Sequence, residues 1–127
     1  MKISIIGAGN VGGLTAMRLA EAGFGDIVLA DITKGLAQGK AFDLEDAGSI
    51  LNFNYHIQGT DDIENAKNSD IIIITAGLTR KPGMTREDLL NKNAQILKDV
   101  CLKIKKISPQ SIVIVVTNPL DLMTYLA

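Results

Sequence analysis

Five short runs rich in Ile and Val, spaced by helical stretches, limit what this chain can fold into. They are Lys2–Ile6, Asp26–Asp31, Tyr55–Gly59, Asp70–Thr75 and Ser111–Thr117. Four of them are apolar at consecutive positions, as parallel strands covered on both faces are, instead of alternating. Tyr55–Gly59 is more polar and reads as an edge strand. Strand alternating with helix along the whole length predicts an α/β fold with one parallel sheet. No internal repeat, low-complexity segment or linker interrupts it.

The helical stretches carry their own punctuation. Val11–Ala22 is rich in Ala and Leu, with Arg18 and Glu21 as its charges, so most of its surface is expected to be buried, and Gly23 is its stop. Lys34–Ala47 places Ala37, Ala41 and Leu44 on one stripe. Asp62–Asn68 is at most a short helix. Glu87–Ile107 is the longest, with Leu90, Leu97, Val100, Ile104 and Ile107 on one face. Thr85 and Asp88 fit a capping box at its start, and Pro109 lies just past its end. Cys101 falls on the buried stripe and reads as core.

Composition narrows the function classes. The chain has 127 residues, a length at which one domain buries roughly two thirds of its unfolded surface. With 13 Lys+Arg against 14 Asp+Glu, the net charge is −1, which excludes the basic footprint of a nucleic-acid binder. A hydrophobic content of 46% excludes a disordered chain. The longest apolar stretches, Ile71–Ile74 and Ile112–Val116, are far below the ~20 residues that cross a bilayer. No signal peptide is visible either, so the reading is no membrane and a reducing, cytoplasmic setting. One Cys and one His leave no disulfide framework and little scope for a metal site, and none is expected. If the chain belongs to an enzyme, its general base is His56, another residue type, or a group outside these residues.

Gly7-Ala8-Gly9-Asn10-Val11-Gly12 follows the first strand and opens the first helix, the context that gives G-x-G-x-x-G its meaning. Gly7 allows a tight turn, Gly9 lets a pyrophosphate approach the backbone, and Gly12 lets helix and strand pack closely. The helix N-terminus offers N–H groups and a positive dipole end to phosphates. Asp31 closes the second strand, 31 − 12 = 19 residues after the last glycine, near the ~20 of dinucleotide sites. An acid there accepts from the ribose hydroxyls of NAD and repels the extra phosphate of NADP. Lys34 lies near enough to tolerate that phosphate. The alternative role for Asp31 is to cap the turn after its strand.

A second loop, Ala76 to Arg86, leaves the carboxyl end of the fourth strand, where ligands bind in open parallel sheets. It carries Arg80 and Arg86, whose guanidiniums suit bidentate recognition of carboxylates. A solvated basic loop is the plain alternative. Gly83 permits movement there and Pro82 restricts it. The fifth strand runs out in Val116-Thr117-Asn118-Pro119, and Asn118 can either bridge two polar ligands or form a turn before Pro119. Asn93 lies beside the Leu90/Leu97 stripe, and either points at a ligand or caps neighbouring backbone.

Together these segments resemble the N-terminal half of the malate dehydrogenases built like lactate dehydrogenase. The resemblance rests on GAGNVG at 7–12, Asp31-Ile32, GLAQGKAFDLEDA at 35–47, DIIIITAGLTRKPGMTREDLL at 70–90 and VVTNPLDLMTYLA at 115–127, and covers essentially the whole chain. It implies hydride transfer between malate and NAD, giving oxaloacetate and NADH, and so a step of the tricarboxylic acid cycle. Arg86 matches the mobile-loop arginine that polarises the substrate carbonyl. Arg80 matches the position that separates malate from lactate enzymes, by pairing with the second carboxylate. Asn118 matches a residue contacting both substrate and cofactor. Gly7, Ala8, Gly9, Asn10, Val11, Gly12, Asp31, Asn93, Val116, Thr117 and Asn118 match cofactor contacts.

The same resemblance places the family's proton-transfer His–Asp pair, and a third Arg that grips the substrate, in a C-terminal half. None of these is in this chain, so it is expected to be inactive alone, and His56 reads as structural or solvated. The expected fold is a Rossmann-type doubly wound sheet of five strands in the order 3-2-1-4-5, within a domain spanning 1–127. The sixth strand and the catalytic domain are missing. The apolar Ile112–Val116 run would then be an open edge, prone to self-association. The Lys34–Ala47 helix resembles the segment through which family members pair, implying a homo-oligomer in full-length form. Two other readings remain open from the residues. One is a fragment acting on lactate or another 2-hydroxy acid, against which Arg80 argues. The other is a non-catalytic dinucleotide sensor, which has no reason to keep the two-arginine loop.

Overall fold

The computed structural model describes residues 1–51 and 55–127. Its strands are β1 (Lys2–Ile6), β2 (Asp26–Ala30), β3 (Ile57–Thr60), β4 (Ile71–Ile74) and β5 (Ile112–Val115). Its helices are α1 (Asn10–Ala22), α2 (Leu36–Leu51), α3 (Arg86–Ile107) and α4 (Leu120–Leu126), with a 3-10 turn at Ile63–Ala66. The strands form one parallel sheet in the order β3-β2-β1-β4-β5. This is the topology expected from the alternation of strands and helices, with edges moved by one to four residues.

Two apolar layers cover the sheet, one on each face. Ile3, Ile5, Ile27, Leu29 and Ile57 point one way and pack with Ala16, Ala20, Ala37 and Ala41 of α1 and α2. Ile6, Ala30, Ile72 and Ile74 point the other way and pack with Leu97, Ile104 and Ile107 of α3 and Met123 of α4. Alternate residues along the central strands serve opposite cores, so these strands are apolar at nearly every position, buried Ser4 of β1 being satisfied by Ser69. Each fully buried Ile or Leu in these layers contributes about 1.5–3 kcal/mol. Cys101 is half-buried beside the second layer, and burial pushes its thiol pKa up.

Local signals in the chain set the ends of the helices. Gly23 adopts φ +76 and its N–H bonds back to Leu19 and Ala20 carbonyls, closing α1. Thr85 accepts from the Asp88 N–H while the Asp88 carboxylate accepts from the Thr85 N–H, the expected capping box. At the amino end of the sheet, Ser4 and Ser69 hydroxyls meet at 2.7 Å, and Ser111 donates to the Ser69 carbonyl at 2.6 Å.

One feature differs from expectation. α1 buries only Gly12, Ala16 and Ala20, and leaves Val11 and Leu14 each 56% exposed. Small residues bring α1 close to the sheet, and its low charge does not itself supply a neighbour for the opposite face. β5, apolar throughout, is the edge, and Ile112, Val113 and Ile114 are exposed, as the five-strand order implied. Among the described residues, no helix is long and apolar enough to cross a membrane.

Candidate functional site

All strands run parallel, so the segments leaving β1, β2, β4 and β5 emerge at one edge. The strand order reverses between β1 and β4, which opens a crevice at that point. The glycine loop after β1 and the segment after β4 flank it, with Thr75 and Ala76 against Gly7.

The glycine loop turns directly out of β1. Gly7 adopts φ +109, a backbone state open to glycine, and its N–H bonds to the Ala30 carbonyl at 2.7 Å. A Cβ on Gly12 would overlap the Gly7 carbonyl oxygen and approach Thr75 Oγ1 at 2.8 Å, so only glycine lets α1 sit this close. Gly9 is different: a Cβ there meets nothing within 4 Å. The backbone at Gly9 is therefore open on the side where a side chain would project. No side chain caps α1, and the N–H groups of Asn10, Val11 and Gly12 in its first turn lack intrahelical partners.

Asp31 binds the loop and the next turn together. Its Oδ2 accepts from the Ala8 N–H at 2.7 Å and its Oδ1 from the Thr33 N–H at 2.8 Å. Burial alone raises its pKa. The N–H groups of Thr33 and Ala8, the Thr33 hydroxyl and the nearby charge of Lys40 outweigh that, and the carboxyl sits below its ordinary value. Asp31 thus caps its turn, and as a carboxylate it keeps lone pairs free to accept more. A groove of about 500 Å³ opens beside it, lined among others by Gly7, Asp31, Ile32, Leu78 and Lys103. Ile32 is 96% exposed.

The second loop is anchored at both ends. Pro82 and Gly83 form its tip, closed by the Met84 N–H donating to the Lys81 carbonyl at 3.1 Å, with Gly83 at φ +83. That is the left-handed state a Pro-Gly turn needs at its second central residue. Arg80 is exposed and donates through Nε to the Met84 carbonyl at 3.1 Å. Arg86 is the exposed first residue of α3. Asn93 is 2% exposed and takes the backbone-capping role. Its Oδ1 accepts from the Leu78 N–H at 2.8 Å, and its amide donates to the carbonyls of Leu78 and Asn118 at 3.3 and 2.9 Å. Thr117 donates to the Ala76 carbonyl at 2.7 Å. Asn118 and Val116 are exposed at the same edge.

Of the candidate residues, Gly7 and Asp31 line the groove, whereas Arg80, Arg86, Asn93 and Asn118 stand outside it, toward the β4–β5 side. His56 is exposed just before β3, at the amino end of that strand, with Nδ1 3.4 Å from Glu45. It takes no part in this edge. Among the described residues, no group of three or more His, Cys, Asp and Glu is placed to hold a metal.

Two contributors were missed by the sequence reading. Thr75 Oγ1 donates to the Gly7 carbonyl at 2.9 Å and pins the glycine loop to β4. Its signal was available, because Thr75 directly follows β4, the neighbour of β1. Lys40 reaches from α2 to the Gly9 carbonyl at 2.9 Å, and nothing local announces a contact that depends on how α2 docks.

A family model described as the lactate/malate dehydrogenase NAD-binding domain matches residues 1–127. A malate dehydrogenase of Methanosarcina mazei is 56% identical over 127 residues, covering 100% of this chain and 41% of that protein. The solved malate dehydrogenase of Archaeoglobus fulgidus in complex with NADH superposes with a TM-score of 0.94 at 46% identity, covering 99% of this chain and 43% of that one. The lactate dehydrogenase of Cryptosporidium parvum, complexed with lactic acid and its dinucleotide cofactor, superposes at 0.91 with 38% identity, covering 98% of this chain and 39% of that one. The chain thus spans about two fifths of the length of such relatives. With the sheet order, the glycine loop and Asp31 in place, this chain belongs to the family of NAD-binding domains of lactate/malate dehydrogenases.

Proposed function

We propose that the chain forms the NAD-binding part of an oxidoreductase that interconverts malate and oxaloacetate. One observation carries the reading: a loop bearing Arg80 and Arg86 leaves the same sheet edge as the glycine loop and is tied by Asn93 to the segment bearing Asn118. A dinucleotide site beside two guanidiniums suits a dicarboxylate that exchanges hydride with a nicotinamide.

The residues present fit that cofactor. The open side of Gly9 and the free N–H groups of α1 suit a pyrophosphate, and the Asp31 carboxylate suits the ribose hydroxyls. Gly7 to Gly12, Asp31, Asn93 and Val116 to Asn118 form the cofactor side. When bound, NAD supplies the hydride acceptor. Arg86 polarises the substrate oxygen at C2, Arg80 pairs with the second carboxylate, and Asn118 hydrogen-bonds substrate and cofactor. An unpaired buried charge is costly, so Arg80 disfavours a monocarboxylate in a closed site. Malate oxidation also moves a proton from the 2-hydroxyl to a base. His56 lies at the wrong end of the sheet for that task, and the base belongs to a part of the protein outside these residues. A cytoplasmic setting, a place in the tricarboxylic acid cycle and a homo-oligomeric full-length form complete the reading.

The test is an NADH titration of the 127-residue chain, followed by an assay of oxaloacetate reduction with and without the C-terminal part of a relative supplied. Binding by the chain, with turnover only after addition, is the expected result. No binding refutes the cofactor reading, and turnover by the chain alone refutes the placement of the base.

A further inference from the structure

The loop from Gly7 to Gly12 and the first turn of α1 carry no charged side chain. Arg18, further along α1, is paired with Glu21 at 2.7 Å. A cation reaches the loop from another helix instead. Lys40 of α2 donates through Nζ to the Gly9 carbonyl at 2.9 Å. The same oxygen accepts from the Gly13 N–H at 3.0 Å, so the ammonium stands at the N-terminal turn of α1. One of its three N–H bonds is engaged there. Among the described residues it forms no ion pair with a carboxylate.

Gly13 keeps the space for this side chain open. It lies outside the G-x-G-x-x-G spacing, and a glycine inside a helix is destabilising relative to Ala. A Cβ there would stand 3.1 Å from Lys40 Nζ and 3.2 Å from Lys40 Cδ, so a larger residue displaces the lysine. Asp31 feels the same charge. Burial raises the Asp31 pKa, and Lys40 is among the groups, after Thr33 and Ala8, that bring it below the ordinary value. Lys40 thus offsets a carboxylate that by itself would repel an anion entering at the loop.

We propose that Lys40 is a further cofactor-binding residue, whose ammonium draws the diphosphate of the dinucleotide to the glycine loop. The inference rests on the NAD reading above. A diphosphate between two nucleosides is negative on both phosphates, and the end of a helix offers only about half an elementary charge against it. A lysine suits the remainder as a point charge on a flexible stem, with N–H groups left to follow a phosphate oxygen. Its bond to Gly9 holds it within reach before the ligand arrives.

The experiment measures binding of NADH and ADP, which share the diphosphate, to the 127-residue chain and its Lys40→Met and Lys40→Arg variants. Ionic strengths of about 0.01 M and about 0.5 M are compared, and far-UV circular dichroism checks each fold. Lys40→Met should weaken both ligands about tenfold at low salt, the effect of losing one charge-assisted contact. At high salt the loss should shrink below about threefold, because the charge is screened. Lys40→Arg keeps the charge and should bind both ligands within about threefold of wild type. A loss in Lys40→Met that is equal at both salt concentrations marks a merely structural clip on the Gly9 carbonyl and overturns the proposal. So does no loss, a loss of NADH alone, or a Lys40→Arg chain as weak as Lys40→Met. Should Lys40→Met not fold, the wild-type chain decides. Its Lys40 ammonium nitrogen resonance should shift with ADP and stay in place with uncharged adenosine; equal shifts, or none, overturn the proposal. A wild-type chain that binds neither NADH nor ADP refutes the NAD reading itself.

Discussion

Replacing Gly12 by Ala sets two effects of opposite sign against each other. Gly12 lies in the first turn of α1, and a helical Gly→Ala change alone stabilises by about 1 kcal/mol. The added Cβ, however, overlaps the Gly7 carbonyl oxygen and lies 2.8 Å from Thr75 Oγ1. Neither neighbour can yield freely. Gly7 is held by its N–H to Ala30 at 2.7 Å, and its carbonyl accepts from Thr75 at 2.9 Å. Overpacking against such a backbone costs up to about 3 kcal/mol, and losing the Thr75 bond costs about 1 kcal/mol more. Subtracting the propensity gain leaves about 3 kcal/mol of destabilisation. Gly9→Ala is the control, since Gly9 has φ −65 and open space beyond it. It should cost less than about 1 kcal/mol of stability. Yet it should weaken NADH about tenfold or more, by placing a methyl where the pyrophosphate approaches. Urea denaturation followed by circular dichroism, with NADH titration alongside, reads both quantities. A Gly12→Ala chain as stable as wild type would show that the contact between α1 and the loop is not close enough to require glycine.

Three further outcomes are expected. Asp31 has a folded pKa below its unfolded value of 3.8, so its contribution to stability is complete above that value and is lost as pH falls through the lower folded one. Between the two, wild-type stability should rise with pH more steeply than that of Asp31→Asn; equal slopes in urea midpoints would contradict the assigned hydrogen bonds. The exposed β5 edge should drive concentration-dependent association, and Val113→Lys should reduce it in sedimentation velocity; a wild-type chain that stays monomeric at high concentration argues the other way. In a protein completed by the C-terminal part, Arg80→Gln should shift the ratio of kcat/KM values from dicarboxylates toward monocarboxylates. An unchanged ratio removes Arg80 as the selector.

Much of this molecule is legible in its chain because the signals are local. Consecutive isoleucines suit a strand between two covering layers, and the neighbours Ile5 and Ile6 of β1, like Ile73 and Ile74 of β4, are divided between the two faces. The Thr85–Asp88 capping box and the Gly23 stop involve neighbours in sequence, and both formed as read. The spacing of Gly12 and Asp31 follows from the length of one helix and one strand. The exposure of Val11 and Leu14 was not legible, because composition reports how apolar a helix is and not what lies against each face.

The sequence alone determined the class of fold and the glycine loop, since strand periodicity and backbone freedom are properties of the residues themselves. Only the tertiary structure decided how those parts are held. The hydroxyl of Thr75 on Gly7, the ammonium of Lys40 on Gly9 and the amide of Asn93 between Leu78 and Asn118 join residues 15 to 68 positions apart. A hydrogen bond of that reach leaves no local pattern, because it exists only once separate elements have packed to within about 3 Å of each other.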